Sequence, residues 1–147
     1  MTIDKILKES HVIAVVGLSA NEERPSYGVA AYLKEHGYRI IPVNPKEKSI
    51  LGERCSPSLA SFDEKIDIVD IFRRSDDVES VVDEAIQVGA RVVWMQEGVV
   101  NEQAACKARG AGLEVVMDKC IKKEHQKLVG ESSLPYGVCE VRFDDEK

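Results

Sequence analysis

VVGLSANEERPSYGVAAYLKEHG runs from Val15 to Gly37 and joins an apolar run to a polar loop and then to a helical pattern. Upstream, HVIAVVG (His11 to Gly17) is the continuous apolar run that a strand buried on both faces requires. Downstream, Val29, Ala30, Tyr32 and Leu33 recur at helical spacing between Pro25 and His36. Pro25 suits a first helical turn, where its missing N–H is not needed, and Gly37 supplies a stop. Strand, glycine turn and helix in this order are the layout of a nucleotide-binding turn. The glycines do not fit G-x-G-x-x-G, however: Leu18 and Ser19 follow Gly17, and the next glycine is Gly28.

The same alternation continues along the chain. YRIIPVNP (Tyr38 to Pro45) reads as a second strand, with Pro42 awkward for a central position. KEKSILGERCSPSLASF reads as a loop with a short helical turn near Ser58. IDIVDIF (Ile66 to Phe72), ARVVWMQ and LEVVMD are three further strands. The intervening helices are SDDVESVVDEAIQVG, with Ser75 as N-cap and Gly89 as stop, and NEQAACKARG, started by Asn101. CIKKEHQKL forms a last short helix. Alternation of this kind calls for an α/β fold: a Rossmann-like, doubly wound, mainly five-stranded parallel sheet with helices on both faces. The expected strand order is 3-2-1-4-5. The domain is expected to span residues 1–128. The acidic tail of 129–147 breaks the alternation and is open between an extra strand, an arm on a partner subunit and a partly disordered segment.

Composition excludes several classes of function. A chain of 147 residues is one ordinary domain, able to bury a core without disulfides or metal. The net charge of −6 argues against a general nucleic-acid binder and against a membrane-surface protein. MTIDKILKES is a charged helix start and not a signal peptide, so a cytoplasmic location is expected. The four cysteines, Cys55, Cys106, Cys120 and Cys139, form no C-x-x-C and read as free thiols, with Cys106 and Cys120 as buried fillers.

In doubly wound sheets, ligands sit where the strands end and the strand order switches. After the first strand, Gly17 lets the chain turn tightly, Ser19, Ser26 and Tyr27 bring hydroxyls, Arg24 brings a cation, and the helix start at Pro25 brings free N–H groups. These are the parts of an anion cradle; the alternative is a plain strand–helix turn with a surface Arg. After the second strand, NAD-binding domains usually place an acid for the ribose hydroxyls. Here Val43, Asn44 and Pro45 are followed by Lys46. A cation in place of the acid weakens NAD and favours a ligand with an additional phosphate near the adenosine, NADP or coenzyme A. Lys48 reads as a solvated loop charge. After the third strand, Arg73 and Arg74 could face an anion, and a structural or partner-facing role is as well supported. After the fourth, Gln96, Glu97 and Gly98 overlie the same crevice, while Trp94 belongs to the core.

No catalytic constellation stands out. There is no G-x-S-x-G elbow, no P-loop and no metal-ligand cluster. Of His11, His36 and His125, only His125 falls near the rim, and it reads as a solvated helix residue. On these residues alone, a binding module without chemistry is as well supported as an enzyme. The alternatives are a small NADP-dependent or acyl-CoA-handling enzyme, and a regulatory subunit that has lost the ligand.

Taken together, G-L-S with R-P-S, P-V-N-P, D-I-F-R-R and W-x-Q-x-G resemble the small stand-alone CoA-binding proteins, from about Ile6 to Leu128. That family is similar to the N-terminal CoA-binding domain of the succinyl-CoA synthetase α subunit. The resemblance implies a Rossmann-like fold binding coenzyme A or an acyl-CoA. It places the ligand's phosphates against Gly17, Leu18, Ser19, Arg24, Pro25, Ser26 and Tyr27, and the adenosine end by Val43, Asn44, Pro45 and Lys46. Phe72, Arg73 and Gln96 would border the crevice. The synthetase also uses a phosphohistidine in a second domain and a separate nucleotide-binding subunit. This chain matches neither part, so the resemblance does not imply ligase activity. A homodimer or a partner subunit is compatible with it.

Overall fold

The computed structural model describes residues 2–133. Five parallel strands form the sheet: β1 (Val12–Val16), β2 (Arg39–Val43), β5 (Ile68–Ile71), β6 (Val92–Met95) and β7 (Glu114–Val116). A short antiparallel hairpin, β3 (Ser49–Ile50) with β4 (Glu53–Arg54), lies between the second and third of them in sequence. Helices α1 (Ile3–Glu9), α2 (Pro25–Glu35) and α5 (Ile121–Ser133) cover one face; α3 (Val78–Gln87) and α4 (Glu102–Gly110) cover the other.

The strands are mainly apolar because both faces of the sheet are buried; Arg39 and Glu114 stand at strand starts, and Asp70 lies within β5. Ile13 and Val15 of β1 pack with α1, α2 and α5, around Leu7, Leu33 and Ile121. Ala14 and Val16, one residue out of phase, pack with Val78, Val82 and Ala105 of α3 and α4. Trp94 lies fully buried in β6, and its Nε1 donates to the Lys119 carbonyl at 2.8 Å. Helix ends follow their residues. Asn101 caps α4 through Oδ1, which accepts from the Ala104 N–H at 2.9 Å, and α2 closes with Gly37 at φ +95°.

The strand order is β2-β1-β5-β6-β7, which in sequence order of the five strands is 2-1-3-4-5. This corrects the expected 3-2-1-4-5. Pro42 supplies the reason. The Arg39 N–H donates to the His11 carbonyl on the β1 side at 2.8 Å, so the two-residue period turns Pro42 to the outer side of β2. A further strand there would need the N–H that proline lacks. The edge is closed instead by Ser56, whose N–H donates to the Pro42 carbonyl at 2.8 Å. The chain then crosses back over β1 to form β5. The order still reverses beside β1, so a topological switch point remains at the carboxyl ends of β1 and β5.

Other local expectations change too. The segment read as a loop contains the β3–β4 hairpin, turned by Leu51 and Gly52 at φ +56° and +75°. Both residues of such a turn require positive φ, and leucine is an unusual choice for one of them. Ser75 is not a helix cap: a 3₁₀ turn over Ser75–Asp77 precedes α3, and Ser75 Oγ accepts from the Val100 N–H at 3.1 Å. Cys106 is exposed, because the buried face of α4 is made by Ala104, Ala105 and Ala108; Cys120 is buried. Helix α5 runs on to Ser133, beyond the expected domain end at 128. The rest of the tail, 134–147, lies outside the described residues.

Candidate functional site

At the end of β1 the chain turns at Gly17, with φ +87°. A Cβ at this position would sit 2.3 Å from the Phe72 carbonyl oxygen, so only glycine permits β1 and the end of β5 to approach this closely. The loop that follows satisfies its own backbone. The Ser19 N–H donates to Ser26 Oγ (3.1 Å), the Asn21 N–H to Ser19 Oγ (3.0 Å), and the Glu23 N–H to Asn21 Oδ1 (2.9 Å). Asn44, at the end of β2, ties the second loop to the first: its Nδ2 donates to the Leu18 carbonyl (3.0 Å), and its Oδ1 accepts from the Lys46 N–H (2.8 Å).

These loops enclose an open cleft of about 410 Å³ over the carboxyl ends of β1, β2 and β5. It brings together Gly17, Leu18, Ser19, Val43, Asn44, Pro45, Lys46 and Arg73 from among the residues expected in the site. Ala20, Asn21 and Glu47 complete the lining. The Leu18 side chain is fully buried, which leaves its backbone as the part available to a ligand. Among the described residues, neither Lys46 nor Arg73 has an ion-pair or side-chain hydrogen-bond partner. Apart from Glu47, no acid lines the cleft.

The remaining expected residues stand outside this lining. Arg24 is exposed at the N-cap of α2, followed by Pro25 at its first position. Ser26 is buried and engaged with Ser19, and Tyr27 and Phe72 pack half-buried beneath the loop. Gln96 is buried and turned toward α5, where its Oε1 accepts from the Ile121 N–H at 3.1 Å. The end of β6 is held to the neighbouring loop in other ways as well. The Gly98 N–H donates to Asp118 Oδ1 (2.7 Å), and Lys123 pairs with Glu97 (3.0 Å).

A second cleft, of about 350 Å³, adjoins the first and shares Val43 and Arg73 with it. Val16, Leu59 and Val81 form its apolar part; Ser58, Asp77, Ser80 and Glu84 bring polar groups. Glu84 Oε1 accepts from the Leu59 N–H at 3.0 Å. No sequence pattern points to this cleft, because it combines the 3₁₀ turn over Leu59–Ser61 with a helix that starts some twenty residues later.

Asp70 and His125 are buried ionisable groups that lie elsewhere. Asp70, in β5 between Val15 and Trp94, is fully buried, and neither of its carboxyl oxygens has a hydrogen-bond partner among the described residues. Burial raises its pKa well above the ordinary carboxylate value. His125 is not solvated: it is 6% exposed, its Nδ1 lies 2.8 Å from Tyr32 Oη, and its ring contacts His36 and Tyr38 edge-on. Burial, and next the neighbouring His36, lower its pKa. Its cleft, shared with His11, Gly37 and Tyr38, lies at the amino ends of the strands, away from the rim. The spacing of Ile121, His125 and Leu128 on one helical face was the available signal. Among the described residues, no group of three or more His, Cys, Asp or Glu could hold a metal ion, and no helix is long and apolar enough to cross a membrane.

Residues 11–126 match the family described as CoA binding domain. Bacillus subtilis (strain 168) YneT, an uncharacterized protein, is 44% identical over 123 residues, which cover 84% of this chain and 91% of that protein. Acetate–CoA ligase (ADP-forming) I of Archaeoglobus fulgidus is 31% identical over 126 residues; these cover 84% of this chain but only 18% of the ligase. The solved structure of a hypothetical protein from Pyrococcus horikoshii OT3 superposes with a TM-score of 0.84 at 41% identity, over 88% of this chain and 94% of that one.

Proposed function

The chain belongs to the CoA-binding domain family, and from that membership we propose that it binds coenzyme A or an acyl-CoA in the cleft over β1, β2 and β5. One observation supports this reading most. Lys46 and Arg73, both without partners among the described residues, line one cleft, where Glu47 is the single acid of the lining. Charge-assisted hydrogen bonds to phosphate oxygens would satisfy both cations. Ser19 and the backbone after Gly17 line the same cleft, and Arg24 adds positive charge at the nearby start of α2. Asn44 ties the loop after β2 to the loop after β1 through its bond to the Leu18 carbonyl.

Thermal shift and calorimetry with CoA, NADP, NAD and ATP test the proposal. A ligand at one hundred times its dissociation constant adds about 2.7 kcal/mol of stability. CoA is expected to stabilise the protein most. Stabilisation by NADP with no response to CoA would refute the reading. A lack of response to every nucleotide would favour a subunit that kept the fold without the ligand.

A further inference from the structure

The amino end of the sheet carries a cleft that the CoA reading does not use. It has about 370 Å³ and lies between the end of α1, the turn after α2 and one side of α5. Leu7, Tyr38, Leu128 and Val129 make its apolar part. Lys8, Ser10, His11, His36 and His125 bring polar groups, and among the described residues no Asp or Glu belongs to the lining.

His125 decides what this cleft can take. The side chain is almost wholly buried, and its Nδ1 lies 2.8 Å from Tyr32 Oη. A phenol is the better donor of the two groups and an imidazole nitrogen the better acceptor. The Tyr32 O–H therefore donates to Nδ1, and the ring proton stands on Nε2. That Nε2–H has no acceptor among the described residues. Two more donors stand unpaired in the same lining. Lys8 forms no ion pair, and Ser10 Oγ, buried at the C-cap of α1, has no hydrogen-bond partner among the described residues. His36 donates from Nδ1 to the Tyr32 carbonyl at 2.8 Å, and its Nε2 becomes a further donor once the ring is protonated. Donors gathered without an acid call for a partner that brings acceptors and negative charge.

We propose that this cleft binds a small organic carboxylate, with its head on His125 Nε2 and the Lys8 ammonium and its apolar body along Leu7, Tyr38, Leu128 and Val129. The site stands apart from the strand-end cleft, and the inference does not rest on the CoA reading. Ligand sites run from about 300 to 1,000 Å³, so an occupant of this cleft is small. The apolar side chains favour a carboxylate with a hydrocarbon body over inorganic phosphate, which has none.

Calorimetry on the full chain at neutral pH tests this with three probes: hexanoate, its uncharged counterpart hexanamide, and inorganic phosphate. A ligand of hexanoate's size is expected to bind at about the millimolar level, with the other two at least about tenfold weaker. His125→Asn keeps a polar atom near the place of Nδ1 and removes Nε2. It should weaken hexanoate about tenfold, the scale of one hydrogen bond to a charged group. His125→Gln, whose amide reaches toward the place of Nε2, should regain part of that loss. Lys8→Ala, at an exposed position, should weaken hexanoate about threefold. The proton NMR signals of the His125 ring in the unmodified protein should move with hexanoate and not with the same concentration of phosphate, a readout that needs no substitution to fold. CoA affinity should be the same in every variant. Hexanamide or phosphate binding as tightly as hexanoate would overturn the inference. So would unmoved His125 signals at saturating hexanoate, or undiminished hexanoate affinity in a folded His125→Asn.

Discussion

The two ends of the sheet face the same physical problem and solve it differently. At both, strand backbone groups lose their ladder partners and must find others. At the carboxyl end, small side chains do this within the loops: Ser19, Asn21, Ser26 and Asn44 each serve a nearby backbone group, and Lys46 and Arg73 stay unpaired among the described residues beside an open cleft. At the amino end, Asp67 accepts from the His11 and Val12 N–H groups at 2.8 and 3.0 Å, and Tyr38 Oη donates to the Leu7 carbonyl at 2.6 Å. The rings of Tyr32, His36 and His125 pack beside them. Asp67 and Tyr38 serve closure at that end; at the carboxyl end, two cations stay without partners among the described residues. Substitutions at the amino end should therefore cost stability with little change in affinity, and those of the carboxyl-end cations should do the reverse.

Gly17 should break that division most strongly, since it sits at the carboxyl end yet holds two strands together. Gly17→Ala combines a positive φ with overlap against the Phe72 carbonyl, and it is expected to lower stability by about 2–5 kcal/mol. Urea denaturation gives the stability, and CoA affinity should fall in the same variant. Undiminished stability in Gly17→Ala would show that the β1–β5 approach is not as tight as 2.3 Å implies. Asp67→Ala sharpens the comparison from the other end. It leaves two backbone donors without their acceptor, at an expected cost of about 2–4 kcal/mol. CoA affinity, measured well below the new melting temperature, should be unchanged. Arg73→Ala should do the opposite: a loss of about 1.5–3 kcal/mol in CoA binding, with a melting temperature shifted little. Arg24→Ala should lose less than Arg73→Ala, because Arg24 is exposed and outside the cleft lining. The reverse ranking by calorimetry would move the phosphates toward the start of α2.

How much of this was legible in the sequence depended on distance along the chain. Strands and helices were visible because a parallel sheet buried on both faces demands unbroken apolar runs separated by amphipathic ones. The Gly17, Asn44 to Lys46 and Arg73 positions were legible because topology places ligands at strand ends, whatever the side chains do. The strand order was written in Pro42, but only knowing which way its nitrogen points makes that readable. The β3–β4 hairpin has strands of two residues, too short for any period to show. Gln96 was expected at the rim by sequence position, and the structure turns it to the Ile121 N–H, 25 residues away. His125 meets Tyr32 across 93 residues of chain, and such a contact leaves no local pattern beyond the apolar face it shares with Ile121 and Leu128.

Asp70 belongs to neither end, and it sharpens the comparison by showing what an unserved polar group costs. It lies within the sheet with no partner for its carboxyl among the described residues. Its folded pKa is raised, so as pH rises past the ordinary carboxylate value the unfolded chain releases this proton first. Its contribution is then most favourable below that value and is lost as pH climbs toward the folded pKa. Asp70→Val should stabilise the protein at neutral pH by about 1–3 kcal/mol, the cost of an unsatisfied buried polar group. Denaturant titrations at pH 4 and pH 7 should show a larger gain at the higher pH. Equal gains would mean that the group does not change ionisation on unfolding.

His125 provides the smallest effect and the opposite sign. Its folded pKa is lowered, so as pH falls through the ordinary histidine value the unfolded chain takes up the proton first. The amino end should thus lose stability on acidification from pH 7 toward pH 5, while the Asp70 contribution grows over part of the same range. Tyr32→Phe removes the 2.8 Å contact to His125 Nδ1 and keeps the ring stacked on His36, whose centroid lies 4.0 Å away. The expected cost is about 1 kcal/mol, that of one hydrogen bond, with CoA affinity unaltered. Proton NMR titration of His125 in both proteins completes the test. In the unmodified protein its ring should titrate below the ordinary histidine value. If it titrates at that value instead, the ring cluster is open to water, and the amino end is then no more closed than the carboxyl end.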